Sequence, residues 1–269
     1  MSAEPVVLVT GAGRGLGRAI GEAFRAHDYR VVATDYDPTL LRDRDGLDGY
    51  TTAQVDVTDA ESIAGVARFI AAEFGRLDVI VNNAGIIGYF PTVEMDPDQV
   101  LRHFQVNTFA ALRVVHACLD LLVASRGTVV NITSESFRLR TPFQIYQTTK
   151  LALEGLSDVM RRELSGLGVH VATVRPGAIG TDLFHAMDSI ENPVPDGHLA
   201  RPFAAFVRRL DRNKPKRVSS PDEVAAVVFR AATAHRRRPH YAINNMRSLR
   251  IASMLPTSVA DRAVARMLR

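Results

Sequence analysis

Apolar residues recur along the chain in short runs that alternate with longer stretches of helical spacing. The short runs are rich in valine and isoleucine, which is typical of strands buried on both faces. They predict strands at residues 6–9, 31–33, 79–81, 128–132, 169–174 and 241–243, with 51–57 as a weaker candidate. The longer stretches predict helices at 16–27, 60–74, 97–124, 145–165 and 221–234.

Two of these helices have recognisable starts. Residues 96–99 read DPDQ, and residues 220–223 read SPDE, in which a serine cap precedes a proline and a glutamate occupies the third helical position. Strands that alternate with helices predict a parallel sheet with helices on both faces. Because no linker or internal repeat divides the chain, we expect residues 1–269 to form one α/β domain with a doubly wound sheet.

Residues 180–217 interrupt this alternation with prolines among aromatic and basic side chains. The segment follows the sixth predicted strand. In open α/β sheets the ligand crevice lies outside the carboxyl ends of the strands. We therefore expect residues 180–217 to be a substrate-loop insertion that covers this crevice.

Composition excludes several classes of protein. The single Cys118 cannot form an intramolecular disulfide, and neither a signal-peptide pattern nor an apolar run near the ~20 residues of a membrane span is present. A cytoplasmic protein without a membrane span is therefore expected, and peripheral membrane contact stays open. The net charge is +4, but the basic clusters at 214–217 and 236–239 lack interleaved aromatic residues, so we expect no nucleic-acid partner. The histidines show no metal-ligand spacing, and we predict no metal site.

A glycine-rich turn follows the first predicted strand. Residues 10–20 read TGAGRGLGRAI, with glycines at 11, 15 and 17 before the first helix. Such a turn lets backbone N–H groups at a helix start approach a pyrophosphate. The spacing differs from the common G-x-G-x-x-G fingerprint, so this motif alone is only weak evidence for a dinucleotide site.

An acidic residue ends the second predicted strand. Asp35 lies eighteen residues after Gly17, about where a carboxylate would accept hydrogen bonds from the adenosine ribose. A carboxylate there repels a 2′-phosphate, which favours NAD over NADP. Arg14 and Arg42 lie nearby and keep NADP open as the alternative.

Residues 146–150 read YQTTK and place Tyr146 and Lys150 four apart. On a helix these two side chains would be neighbours on the same face. The pair alone also fits an ordinary solvated helix start.

Together these features resemble the short-chain dehydrogenase/reductase family. TGAGRGLG, DVTD at 56–59, NNAG at 82–85, Asn107, Ser134, YQTTK and PGAIGT at 176–181 follow the order of that family and lie near its spacing. The resemblance implies a Rossmann-type fold and nicotinamide-dependent oxidoreduction. It implies these cofactor-binding residues: Gly11, Arg14, Gly15, Leu16, Gly17, Asp35, Asp56, Val57, Asn83, Ala84, Gly85, Tyr146, Lys150, Pro176, Gly177 and Thr181.

The same resemblance implies catalytic roles for Asn107, Ser134, Tyr146 and Lys150. Oxidising an alcohol requires a base near the hydroxyl proton, and tyrosine, with a pKa of about 10, is a poor one. A lysine about 5 Å away at an effective dielectric near 20 would stabilise phenolate by about 3 kcal/mol, or about two pKa units. By resemblance, Asn107 bends its helix and orders a water beside Lys150.

The spacing of Ser134 from Tyr146 differs by one residue from that of many family members. Ser134 lies twelve residues before Tyr146, where many family members have thirteen. It would donate a hydrogen bond to the substrate oxygen. Thr133 and Ser136 stay open as alternatives for this role.

The C-terminal residues LRIASMLPTSVADRAVARML form an amphipathic tail that resembles the steroid and retinoid dehydrogenase branch. We expect a bulky hydrophobic alcohol or ketone as the substrate. Aromatic residues fall where an apolar pocket or lid would lie, although they could equally be the core of the lid: Phe137, Phe143, Phe184, Phe203 and Phe206.

The same residues leave two other functions open. The alternatives are an NADP-dependent carbonyl reductase and a non-catalytic cofactor sensor, although a sensor would predict loss of Tyr146 or Lys150. By family resemblance, we expect a homodimer or homotetramer that pairs through the helices at 97–124 and 145–165.

Overall fold

The computed structural model describes residues 4–138, 140–180, 197–212, 217–245, 251 and 253–268. Within these residues, seven strands form one parallel sheet in the order β3-β2-β1-β4-β5-β6-β7. The strands are β1 (Val6–Thr10), β2 (Arg30–Asp35), β3 (Tyr50–Gln54), β4 (Val79–Asn82), β5 (Thr128–Ile132), β6 (His170–Pro176) and β7 (His240–Ile243). All seven predicted strands are confirmed, including the weaker candidate that becomes β3.

Helices connect these strands on both sides of the sheet. They are α1 (Gly15–Arg25), α2 (Ala60–Glu73), α3 (Pro97–Phe104), α4 (Ala110–Ala117), α5 (Leu119–Ser125), α6 (Ile145–Ser165), α7 (Ala200–Arg212), α8 (Pro221–Thr233) and α9 (Thr257–Met267). Two 3-10 helices cover Pro38–Arg44 and Glu135–Arg138. The predicted doubly wound α/β architecture is confirmed.

The sheet separates two apolar cores. Alternate residues of a strand point to opposite faces, so Val7 and Val9 of β1 pack with α1 and α8, whereas Val6 and Leu8 pack with α2, α4 and α6. The central strands β1, β4 and β5 are consequently buried along their whole length. The strand order reverses between β1 and β4, which places the crevice for a ligand beyond the carboxyl end of β1.

The prediction of one helix over residues 97–124 is wrong. α3 runs into a π-helical turn, Gln105–Phe109, before α4 begins, and the chain bends by 65° between Pro97–Ala117 and Leu119–Ser125. Apolar spacing does not reveal such a turn, because the turn depends on contacts that Asn107 makes with other elements.

Of the described helices, none alone has the length and apolarity to span a membrane, although this bent pair passes that test by length and composition.

A helix also lies where no helix was predicted. α7 occupies Ala200–Arg212, inside the irregular segment 180–217. Pro202 lies in its first turn, where the missing N–H of proline costs no helical hydrogen bond. The prolines of the segment therefore do not interrupt α7, although their presence argued against predicting a helix there.

Candidate active site

A cleft of about 910 Å³ opens at the carboxyl ends of the central strands. It is lined by Ser134 and by every predicted cofactor residue except Thr181, which lies outside the described residues. Residues contributed by six strand ends, β1 to β6, and by the start of α6 thus converge on one site. A cleft of this size is large enough for a dinucleotide and a small substrate.

The glycine-rich turn folds tightly beneath one end of this cleft. Gly11 has a positive φ of 63°, and a Cβ at Gly17 would stand 2.0 Å from the Gly11 carbonyl oxygen. Any larger side chain at Gly17 would therefore displace the turn. Arg14, at the N-cap of α1, makes no side-chain capping bond. The first N–H groups of α1 are thus not capped by that side chain, which fits the binding of a pyrophosphate.

Thr10 and Asn83 fasten this turn to the neighbouring strand. The amide Nδ2 of Asn83 donates to the carbonyl oxygens of Thr10 and Gly11, both at 3.0 Å. In return, the hydroxyl of Thr10 accepts from the backbone N–H groups of Asn83 and Ala84, both at 3.1 Å. Asn83 was predicted to line the cofactor floor, and its amide also organises the turn. Thr10 was missed, since a strand threonine carries no distinguishing signal.

The two predicted acidic residues are both ordered by backbone N–H groups. Asp35 Oδ2 accepts from the N–H of Gly13 at 2.9 Å, and Asp35 Oδ1 accepts from that of Asp37 at 3.1 Å. Asp56 Oδ1 accepts from both the N–H and the hydroxyl of Thr58, at 2.8 and 2.7 Å. The carboxylate of Asp35 is thereby held at the rim of the cleft before any ligand binds.

Tyr146, Lys150 and Ser134 meet at the other end of the cleft. The Nζ of Lys150 lies 5.7 Å from the centre of the Tyr146 ring and donates to the carbonyl oxygen of Ile132 at 2.8 Å. The Ser134 hydroxyl hydrogen-bonds with the Tyr146 phenol. It also lies 2.8 Å from the Ser136 hydroxyl. The i,i+4 neighbours predicted from YQTTK therefore lie together at the cleft, with Lys150 buried and Tyr146 partly buried, and they are not on a solvated helix face.

Neither alternative to Ser134 is equally well placed. The Thr133 hydroxyl is directed at Glu154 Oε1 and the carbonyl oxygen of Val174, at 2.5 and 3.1 Å. Ser136 bonds to Ser134 through both its hydroxyl and its N–H. Of the three hydroxyls, that of Ser134 contacts Tyr146 directly.

Burial dominates the acidity of this pair. It raises the pKa of Tyr146 to about 12, and the hydrogen bond from Ser134 only partly opposes this rise. Burial also lowers the pKa of Lys150 to about 8. Burial therefore moves the pKa of Tyr146 in the direction opposite to the one expected from the lysine charge, because loss of hydration disfavours phenolate.

Asn107 lies behind Lys150 in the π turn. Its Oδ1 accepts from the N–H of Ile86 at 2.8 Å, and its Nδ2 donates to the Ile86 carbonyl oxygen and to the Thr149 hydroxyl, at 2.9 and 3.1 Å. Thr108 donates to the Thr149 carbonyl oxygen at 2.9 Å. The predicted helix distortion at Asn107 is present, and it holds the π turn against α6.

The space around Asn107 is small and is shared with Gly85 and Lys150. A Cβ built on Gly85 would lie 3.4 Å from Asn107 Oδ1 and 3.7 Å from Lys150 Nζ, so both atoms border the same glycine. A cavity of about 10 Å³ beside Asn107 is lined partly by Thr10 and Asn82 and has room for about one water molecule.

The predicted aromatic residues mostly form a core of their own. Phe143, Phe203 and Phe206 are buried with Tyr89 beneath α7, and none of the four lines the cleft. Phe137 instead stacks against the guanidinium groups of Arg138 and Arg175. Phe184 lies outside the described residues. Of the two alternatives for Phe143, Phe203 and Phe206, a pocket lining or a core of their own, the contacts support the core.

Sequence reasoning also missed one wall of the cleft. Asp98, Leu101, Arg102 and Gln105, all in or next to α3, line it opposite the strand ends. They belong to no motif, and only packing brings them to the site.

Among the described residues, no group of three or more His, Cys, Asp or Glu side chains is arranged to hold a metal ion.

A sequence model of the short chain dehydrogenases matches residues 5–192 of this chain. The chain belongs to the short-chain dehydrogenase family. It is an oxidoreductase that acts on CH–OH groups, and its family implies a nicotinamide cofactor. The glycine turn, the uncapped start of α1 and the size of the cleft fit such a dinucleotide.

Two relatives and one solved structure are similar to this short-chain dehydrogenase over most of its length. It is 28% identical to mouse retinol dehydrogenase 5, over 97% of this chain and 87% of the relative. It is 32% identical to D-threitol dehydrogenase of Mycolicibacterium smegmatis, over 73% of this chain and 81% of the relative. The solved structure of a short-chain dehydrogenase from Streptomyces avermitilis superposes on this chain with a TM-score of 0.79 at 28% sequence identity. The superposition covers 99% of this chain and 96% of the other chain.

Replacing Lys150 with methionine should stabilise this dehydrogenase in a pH-dependent way. Because burial lowers the folded-state pKa from 10.5 to about 8, the buried ammonium destabilises the fold below pH 8, and this cost disappears as pH rises to 10.5. Lys150→Met should raise the free energy of unfolding at pH 7 by about 1–3 kcal/mol, after allowing for the lost bond to Ile132. Urea unfolding at pH 7 and pH 10 measures the difference, and an equal effect at both pH values would contradict the explanation.

Proposed function

We propose that this protein is an NAD-dependent dehydrogenase that interconverts a secondary alcohol and a ketone, with Tyr146 as the general acid and base. The convergence of Tyr146, Lys150 and Ser134 at the closed end of the cleft carries the proposal. Such a group can move a proton at a substrate oxygen beside a nicotinamide ring.

Each side chain has a distinct part in the proposed reaction. A bound nicotinamide supplies the hydride chemistry. The Ser134 hydroxyl donates a hydrogen bond to the substrate oxygen, and Tyr146 gives a proton to that oxygen during ketone reduction or takes one during alcohol oxidation. Because burial keeps the phenol protonated, it is ready to act as an acid, whereas oxidation depends on the Lys150 ammonium to stabilise phenolate.

Asn107 completes this proposed proton path. It fixes the π turn, and its Oδ1 borders the same glycine, Gly85, as the Lys150 ammonium. We propose that Pro176, Gly177 and Thr181 border the nicotinamide side, and that Asp56 and Val57 border the adenine. Of these residues, Pro176, Gly177, Asp56 and Val57 line the cleft.

Changing Tyr146 to phenylalanine should abolish oxidation while leaving the cofactor bound. Nicotinamide absorbance should report no turnover with Tyr146→Phe, a loss of at least about 10³-fold, because the proton acceptor is gone. NAD affinity should change by less than about threefold, since the ring is retained. Activity above one tenth of the wild-type rate would contradict the role of Tyr146.

We propose NAD as the preferred cofactor because the ordered carboxylate of Asp35 suits a ribose diol and repels a 2′-phosphate. NADP is the alternative, supported by Arg14 in the cleft lining. Arg42 does not line the cleft.

Removing the carboxylate should therefore reduce the preference for NAD. Asp35→Ser should lower the ratio of kcat/KM for NAD to that for NADP by about tenfold or more, through loss of ribose contacts and of repulsion. Steady-state kinetics with both cofactors gives this ratio. A wild-type enzyme that prefers NADP, or a variant with an unchanged ratio, would contradict the assignment.

We propose a bulky hydrophobic alcohol or ketone as the substrate. Support comes from the amphipathic tail, from similarity to retinol dehydrogenase 5, and from Leu101, Val106 and Ile179 in the cleft. The relative named for D-threitol supports small polyols as a second candidate. Turnover of retinoids, steroids and polyols in the assay with Tyr146→Phe distinguishes them, and turnover of polyols alone would reject the hydrophobic class.

We propose that residues 1–269 act as one domain in which segment 180–217 covers the substrate. β1 and β7, from opposite ends of the chain, share one sheet, and α7 packs its aromatic residues on Tyr89 and Phe143 near Tyr146. Of this segment, residues 181–196 and 213–216 lie outside the described residues. A cytoplasmic location stays a prediction.

We also propose pairing of two or four copies through α4 and α6. These elements and the π turn expose apolar side chains: Phe109, Leu112, Leu151 and Val159. Leu112→Glu should lower the molar mass measured by light scattering at about 10 μM, whereas Leu47→Glu, at an equally exposed leucine elsewhere, should not. A wild-type monomer would reject the proposal.

A further inference from the structure

Arg44 is buried behind the glycine-rich turn, although no motif includes it. Its side chain is only 3% exposed. The guanidinium donates to the carbonyl oxygens of Ala12 at 2.9 Å, Gly13 at 2.7 Å and Leu40 at 2.7 Å. Asp43 supplies a partial counter-charge, with its Oδ1 3.5 Å from Nε. An arginine is seldom this deeply buried unless its donors are used.

Arg44 and Asp35 hold Gly13 from opposite sides. In a trans peptide the C=O and the following N–H point in opposite directions. The Ala12 carbonyl oxygen faces Arg44, and the Gly13 N–H of the same peptide faces Asp35 Oδ2 at 2.9 Å. The orientation of this peptide is therefore fixed at both ends.

The next peptide carries the effect to the cofactor site. The Gly13 carbonyl oxygen also faces Arg44, so the Arg14 N–H of that peptide points the opposite way. Arg14 is the N-cap of α1 and lines the cleft. Turning this peptide over would leave the buried Arg44 donors without acceptors, which is costly for a charged group.

The packing leaves little room for another arrangement. A Cβ on Gly13 would lie 2.6 Å from the Cβ of Leu40 and 2.7 Å from Asp35 Oδ2. The 3-10 helix that carries Leu40 and Arg44 thus contacts the turn closely. Contact and hydrogen bonding together hold the turn in one conformation.

We propose that Arg44 is a positioning residue for the dinucleotide cofactor. It fixes the peptides at residues 12–14 so that the turn and the start of α1 meet the pyrophosphate without rearrangement, and its permanent charge attracts that anion. The proposal rests on the nicotinamide cofactor that the family implies, and it holds for either NAD or NADP and for any substrate.

The test compares Arg44→Met, Arg44→Lys and the control Arg42→Ala. Arg42 lies two residues earlier in the same 3-10 helix, is exposed and does not line the cleft, so its removal matches the change in charge. Calorimetry measures the Kd for NAD and for NADP, circular dichroism reports folding, and kcat is measured at saturating cofactor.

We expect Arg44→Met to raise the Kd of the preferred cofactor at least about tenfold and to keep kcat within about threefold. Arg44→Lys should rescue part of this loss, because an ammonium keeps the charge but cannot reproduce the planar arrangement of donors. Arg42→Ala should keep the Kd within about twofold. If Arg44 only stabilised the fold, Arg44→Met would not raise the Kd for the cofactor while leaving kcat nearly unchanged.

A folded Arg44→Met variant with a wild-type Kd would overturn the proposal, as would a reduced kcat with an unchanged Kd. If Arg44→Met does not fold, Arg44→Lys decides, and a wild-type Kd for that variant overturns the proposal. A wild-type protein that binds neither nucleotide would refute the proposed function and this inference together. Preference for NADP, or failure of a substrate class, would affect only the proposed function.

Discussion

The site depends on keeping the Lys150 ammonium inside the protein. That charge is held by the backbone carbonyl oxygen of Ile132 and lies above the Tyr146 ring, away from water. Loss of hydration shifts the pKa of the lysine down and that of the tyrosine up. The fold thus tolerates an unfavourable buried charge, which the Ile132 carbonyl oxygen holds in place.

Buried hydrogen bonds keep that charge and its neighbours in position. Thr10 and Asn83 join the glycine turn to β4, while Asn107 and Thr149 join the π turn to α6. A further network lies below Ser134, where Thr133 and Arg175 both donate to Glu154 of α6. Removing one member of such a network leaves a buried polar group unpaired, so these contacts fix the relative positions of α6, β5 and β6.

The two ends of the cleft are organised by different means. At the nucleotide end, Asp35 and Arg44 fix backbone peptides, and the side chains themselves are ordered by N–H groups and carbonyl oxygens. At the reacting end, side chains meet directly, and Phe143 contacts the aromatic core of α7 near Tyr146. Phe143 has a positive φ of 65°, a costly conformation that its packing with Phe203 and Phe206 maintains. Packing of α7 is therefore coupled to the loop that precedes Tyr146.

The sequence by itself determined the seven strands, most helices and about half of the residues that line the cleft, because period-2 and period-3.6 patterns and local motifs are encoded in neighbouring positions. Tertiary structure alone decided the π turn at Asn107, the helix break at Cys118 and the wall of the cleft that α3 forms. It also decided that the aromatic residues pack into a core of their own and that Arg44 binds the backbone of the glycine-rich turn. It also decided that Tyr146 is less acidic than the neighbouring lysine suggested. These features depend on which groups meet across the fold and how much water reaches them, and neither is written in the spacing of residues along the chain.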